Sequence, residues 1–339
     1  MRGLPQRKPR VLTRGAGFTY SLFKIEGLVF IFDKGRPGVV RKNDLILLLV
    51  IFCSMGAGIG FPNFGKVFLP YPLYLMMFLL FLSFLKIEFV EVLQNIKKTT
   101  SIILILCLLK LLIIPAGLFF LTQAIWPEYA LPVLLLSGIS TGVVAPFISG
   151  LLNATTLLVL MMVVISSLLV PFTLPALVEF LMGQTIEVSF LSMVKILTMV
   201  VFVPAFGVIL LRHLVPSFLK KLERAQFPVS LVIFACINLG VFAKYSSFFM
   251  ERLNKLAEII LVAFILSAIY HMVGFLVTWG RKKEDRLAGA ISFAYINNVL
   301  IIVFSSQFFG PLSPTLAAMY MLPFFTMIVP ARIMGNFLK

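Results

Sequence analysis

Lys110 lies in LCLLKLLIIP (106–115), a lysine inside a run of leucine and isoleucine. Eleven residues separate it from Thr99 and thirteen from Gln123. That is roughly 16–20 Å of helix on either side, against a lysine side chain that reaches about 6 Å. Snorkelling to water is therefore difficult, and the charge costs about 2.5–3.5 kcal/mol at a helix centre unless something compensates it. No Asp or Glu falls in the interior of an apolar segment to pair with it. An ammonium in that position can attract an anion, or it can load and release a proton.

Its candidate partners lie in two polar interruptions. LSGISTGVVAPFISG (136–150) contains Gly138, Ser140, Thr141, Gly142, Pro146, Ser149 and Gly150. Proline removes a backbone donor and crowds the preceding turn, which predicts an opened ladder near Val143 to Pro146. AGAISFAYINN (288–298) brings Ser292, Tyr295, Asn297 and Asn298 into apolar surroundings. Side chains of both interruptions can serve a substrate or ion, with hydrogen bonds between packed helices as the plainer alternative. His271, in SAIYHMVGF, is a further titratable group and a candidate proton relay. Cys53, Cys107 and Cys236 have no metal-type spacing, so they read as thiols in apolar segments.

These residues must be positioned by helices that cross a bilayer. Of the 339 residues 60% are hydrophobic and 12% charged, whereas soluble domains run about 45–50% apolar and about 25% charged. Ten segments approach the roughly 20 apolar residues a crossing needs: about 44–61, 70–87, 99–123, 131–152, 155–178, 191–211, 228–247, 257–279, 286–307 and 314–335. Residues 1–43 form a basic arm ahead of them. With the arm inside, the outer face receives only Lys66, Lys195, Lys244, Arg252 and Lys255 of the 29 basic residues, and Lys110 belongs to neither face. That bias sets both termini in the cytoplasm. It also explains the net charge of +16 as a topological signal and as contact with anionic inner-leaflet lipid, so nucleic acid is not expected as a partner.

Ten spans divide into two halves of five, about 44–183 and 188–339, the second inverted relative to the first. The fold class expected is an all-α polytopic membrane protein, ten helices in two inverted five-helix repeats. The two interrupted spans, fourth and ninth, fall in corresponding places of the halves, where secondary transporters put their sites.

In order and spacing, FLSFLKIEF (81–89), KLLIIP (110–115), STGVVAPFISGLLN (140–153), FVPAFGVILLR (202–212) and AGAISFAYINN resemble the bile acid:sodium symporter family over about 44–335. The resemblance implies ten helices in a panel and a core, with broken fourth and ninth spans that cross at mid-membrane. It also implies sodium ligands that this chain has lost. A serine–asparagine pair of the family falls on Pro146 and Phe147, a glutamate on Ser292, a glutamine on Ile296 and another glutamine on Lys110. Asn297 keeps the family's asparagine. An ammonium thus stands where the resemblance places a ligand of the ion.

The function expected is secondary transport of a small organic anion, with a proton or no ion in the coupling role rather than sodium. A sodium symporter with altered ligands and a receptor or scaffold that has lost transport are the alternatives. The sequence has no His–Glu metal motif, phosphate-binding glycine loop or carboxylate pair within a span, so neither an enzyme nor a resident metal or cofactor is expected. A bacterial inner membrane is the expected location, with an organellar membrane as the alternative.

Overall fold

A computed structural model describes residues 20–25, 28–33, 42–85, 87, 101–183, 188–251, 255–328 and 330–331. The chain separates into two units at Arg41/Lys42, two residues before the boundary expected from composition. In the first unit, Tyr20–Ile25 (β1) and Leu28–Asp33 (β2) pair antiparallel, with Ile25 opposite Leu28. Of the expected inner-face charges, Lys86, Lys97, Lys98, Arg332, Lys339 and most of the arm lie outside the described residues, as does Arg252 of the outer set.

The second unit is all-helical. In chain order its principal helices are α1 (Lys42–Gly60), α2 (Pro72–Phe84), α3 (Ser101–Ile125), α4 (Ala130–Ser137), α5 (Ala145–Leu151), α6 (Thr156–Met182), α7 (Phe190–Leu214), α8 (Gln226–Lys244), α9 (Lys255–Val277), α10 (Lys283–Ala294), α11 (Asn298–Phe308), α12 (Leu312–Met319) and α13 (Met321–Thr326). Among the described residues five helices, α3 and α6 to α9, are long and apolar enough to cross a membrane. A sixth crossing is made if Pro62–Phe68 and Pro72–Phe84, bent by 61°, count as one. Proline starts several elements at their first turn, where its missing N–H costs nothing: Pro62, Pro72, Pro127 and Pro216. Pro171, Pro175 and Pro204 are carried inside α6 and α7.

The helices pack as two groups. One contains α1, α2, α7, α8 and the short helix Ser246–Glu251, which packs on α1; the other contains α3 to α6 and α9 to α13. They meet where α6 lies on α7 and where α11 lies against α2 and α8. Close packing within each group uses glycine where no side chain fits. A Cβ on Gly289 would run into the carbonyl oxygen of Gly274, so α9 and α10 touch almost backbone to backbone.

The interrupted helices run the length of the second group. At one end Lys255, which starts α9, bonds Glu128, which precedes α4, at 2.5 Å. At the other end Thr155, just past α5, donates from its Oγ1 to Asp285 of α10 at 2.6 Å, and Arg286 of α10 lies 4.2 Å over the Trp279 ring beyond α9. The 23 residues of α9 separate those ends by about 34 Å. The α4–α5 pair therefore traverses the group instead of turning back. The α10–α11 pair does the same, since Gly310 beyond α11 shares a cleft with Glu128 and Lys255.

Candidate functional site

Between α4 and α5 the chain leaves helical geometry from Gly138 to Val144, and between α10 and α11 it does so from Tyr295 to Asn297. The two openings face each other. Thr141 and Ile296 form an antiparallel bridge, flanked by Gly142 N–H to Tyr295 O at 2.7 Å and Asn297 N–H to Ser140 O at 3.0 Å. Gly142 is required there, because a Cβ would lie 2.5 Å from the Ile296 carbonyl oxygen. The first opening thus sits earlier than the proline argument predicts. Pro146 occupies the first turn of α5, a place that suits its fixed φ and missing donor, and so it begins the second half-helix instead of opening the first.

An α-helix that stops inside a membrane protein leaves carbonyls without intrahelical partners. At the end of α10 almost every one is satisfied from outside the helix. Thr141 Oγ1 donates to Ser292 O at 2.7 Å, Lys110 Nζ to Phe293 O at 3.0 Å, Tyr320 OH to Ala294 O at 2.8 Å and Gly142 N–H to Tyr295 O. On the other strand of the bridge, Thr141 N–H donates to Ser166 Oγ of α6 at 3.0 Å.

Lys110 is 2% exposed, and its ammonium also lies 5.5 Å from the centroid of the Phe293 ring. It points inward to the crossing and caps the negative end of the α10 dipole. The local backbone helps to aim it. Leu109–Ile113 is a π turn, with Ile114 N–H reaching back to Leu109 O, directly before Pro115. Widened turns of this kind absorb the loss of a proline's hydrogen bond and are frequent at functional sites.

The other sequence-predicted residues divide. Ser140, Thr141, Ser292 and Tyr295 meet at the crossing, all 0% exposed. Asn297 caps α11, accepting Leu300 N–H at Oδ1 over 3.2 Å, so its side chain does a helix end's work. Asn298 donates to Met321 Sδ at 3.0 Å while its Oδ1 has no partner. Pro146 lies in the first turn of α5, where its carbonyl accepts from Ser149 Oγ. His271 approaches edge-on to the Tyr295 ring, centroids 5.6 Å apart, with Nδ1 2.8 Å from Ser267 O and a buried, unpartnered Nε2. Ser140 Oγ, Ser292 Oγ and Tyr295 OH are likewise buried without a partner. Such a concentration of unmet polar atoms suits water or a polar ligand.

Sequence reasoning missed Ser166, Tyr270 and Tyr320. The signal was available: a tyrosine hydroxyl in an apolar span needs a partner, and Tyr320 finds one at the end of α10.

A scan against protein-family models matches residues 72–252, more than half of the chain, to the sodium bile acid symporter family. The chain belongs to that family. It is therefore an integral membrane protein of a transporter family. The matched stretch includes Lys110, Gly142 and Ser166; the Tyr295–Asn297 opening lies beyond it. A search of curated proteins finds no significant match.

Proposed function

We infer that this member of the sodium bile acid symporter family is a secondary transporter of a small organic anion that does not use sodium in the usual way. One observation carries the reading: the Lys110 ammonium lies 3.0 Å from the Phe293 carbonyl oxygen, buried at the meeting of the two broken helices. A bound cation at such a helix end neutralises carbonyl dipoles and holds the opening in shape. A lysine supplies the same charge permanently, from the protein itself. By the resemblance, Lys110 takes the place of a sodium-ligand glutamine, while the glutamate expected in the ninth span is Ser292. Sodium prefers an oxygen cage, and exchange of these oxygens for an ammonium and a serine removes most of one.

Among the described residues the buried charge has no carboxylate partner, so an anionic solute would be its counter-ion. Ser140, Thr141, Ser292, Tyr295 and Asn298 are the candidate polar groups for that solute, and His271 is the candidate for proton movement. In this reading the chain crosses a bacterial inner membrane ten times in two inverted halves. Both termini are cytoplasmic, and the inner basic residues face anionic lipid.

Flux into proteoliposomes tests the reading. The probes are radiolabelled pyruvate, pantoate, a bile acid and a sulfated steroid, each run with sodium, potassium or a proton gradient. Uptake of one anion at equal rates in sodium and potassium, lost in Lys110→Gln, is the expected result. Strong sodium stimulation of the intact protein would count for the symporter with altered ligands. Solute-dependent thermal stabilisation without flux would count for a receptor.

A further inference from the structure

The two helix groups are joined at one end by hydrogen bonds that no part of the crossing uses. Lys244, the last residue of α8, donates from Nζ to Ser306 O of α11 at 2.7 Å. Tyr245 follows, its hydroxyl lying 3.2 Å from Ser306 O and 3.1 Å from Phe309 O. The Lys244 ammonium also lies 5.2 Å from the centre of the Tyr245 ring, so the two side chains act as one body. Tyr245 is 8% exposed and Ser306 3% exposed.

Each side of this contact is firmly held in its own group. On the α8 side, Phe242 packs edge-on against Phe249 with centroids 5.8 Å apart. On the α11 side, Phe309 packs against Phe304 at 6.0 Å and against Phe308 at 6.1 Å. Polar groups at the other end of the molecule are spent differently. Arg212 donates to Leu85 O at 2.7 Å and Gln226 to Leu82 O at 2.9 Å, both inside the first group. Thr155 donates to Glu284 O and Asp285 inside the second.

The chemistry of the contact suits something that opens. It consists of side-chain donors on the carbonyls of a helix end, at a rim where water can take over both roles at modest net cost. Just beyond it a cleft of about 250 Å³ lies between Phe248 of the first group and Gly310, Pro311 and Leu312 of the second, with Lys255 and Glu128 at its edge. Separation of the groups along this line would extend the cleft toward the crossing.

We propose that Lys244 and Tyr245 form a latch that holds the two helix groups together at this end, and that the structure is the state with the latch closed. The charge bias makes this the outer end, so the latch shuts the outward path. It acts by capping α11, and its release frees the α10–α11 pair to move with its group against α8.

Spin labels read the latch directly. In a background with Cys53, Cys107 and Cys236 replaced by alanine, labels at Met250→Cys and Ile125→Cys span the two groups. Both positions are well exposed, at 70% and 71%. Labels at Ile125→Cys and Met272→Cys lie within the second group and serve as the control. In the Lys244→Met/Tyr245→Phe variant, pulsed EPR should show the long-distance population between Met250 and Ile125 rising about tenfold, with the control distance unchanged. Tyr245→Phe alone, which removes one oxygen, should give a smaller shift in the same direction. An unchanged Met250–Ile125 distribution overturns the latch. A change in the control pair overturns it too, because the bonds would then be supporting the second group instead of joining it to the first. The measurement needs no solute and no cation gradient, so it stands or falls separately from the transport assay.

Discussion

Lys110 is a lysine whose energetic balance can be followed atom by atom. Burial of the charge at a helix centre costs about 2.5–3.5 kcal/mol on insertion scales. The return is a hydrogen bond from a charged donor to the Phe293 carbonyl at 3.0 Å, worth about 1.5–3 kcal/mol, together with the α10 dipole and the Phe293 ring. These terms nearly cancel, so stability alone gives little reason for a lysine here. Lys110→Met keeps the length of the chain and removes the ammonium. It leaves one carbonyl without its donor, at about 1–3 kcal/mol, and relieves a desolvated charge of similar cost. The expected outcome is a melting temperature in detergent within a few degrees of the native protein, with anion flux abolished. A variant that melts far below the native protein yet keeps its anion flux would make Lys110 a structural cap with no transport role.

The elements around that residue are unequally legible in the sequence. Proline, glycine and polar runs announce that the fourth and ninth spans are broken, because an unbroken apolar helix gains nothing from such residues at its centre. The place of the first break is harder to read: Pro146 looks like a breaker, yet its backbone suits the first turn of α5. The π turn at Leu109–Ile113 leaves almost no local trace beyond Pro115, and Tyr320's bond to Ala294 depends on a contact 26 residues away that periodicity does not encode. Gly142 is the residue on which the crossing is most exacting. Gly142→Ala would drive a methyl to 2.5 Å from Ile296 O, so the bridge must part or the strand must shift. Overpacking of this kind costs about 1–3 kcal/mol, and the two bridging hydrogen bonds are lost with it. Gly150 provides the comparison, since a Cβ there meets nothing within 4 Å and the residue lies in α5. Thermal unfolding should show a clear loss for Gly142→Ala and a neutral or slightly stabilising effect for Gly150→Ala, where helix propensity favours alanine by about 0.5–1 kcal/mol. Equal melting of the two variants would mean that the bridge contributes nothing.

At the scale of the whole molecule, the number of crossings decides which face every loop occupies. Among the described residues only five helices, or six with the bent pair, are individually long enough to cross. Ten crossings require the short halves α4–α5 and α10–α11 each to span the bilayer as a pair. The contacts at the two ends of α9 argue that they do, since Glu128 is held beside Lys255 and Thr155 beside Asp285, a helix length apart. Were the pairs re-entrant instead, the face of every loop between them would reverse. Lys220, Lys221 and Arg224 of the short helix Pro216–Arg224 would then lie opposite the basic arm, against the charge bias. Single cysteines in a background free of the native three, labelled in intact cells by a membrane-impermeant maleimide, separate the two arrangements. Ile125→Cys, Gly183→Cys, Met250→Cys and Gly310→Cys should label from outside. Asn153→Cys, Arg224→Cys and Gly280→Cys should label only after the membrane is opened. Labelling of both Ile125→Cys and Asn153→Cys from outside would make α4–α5 a re-entrant pair. It would also remove the inverted half on which the assignment of the outer end to Lys244 depends.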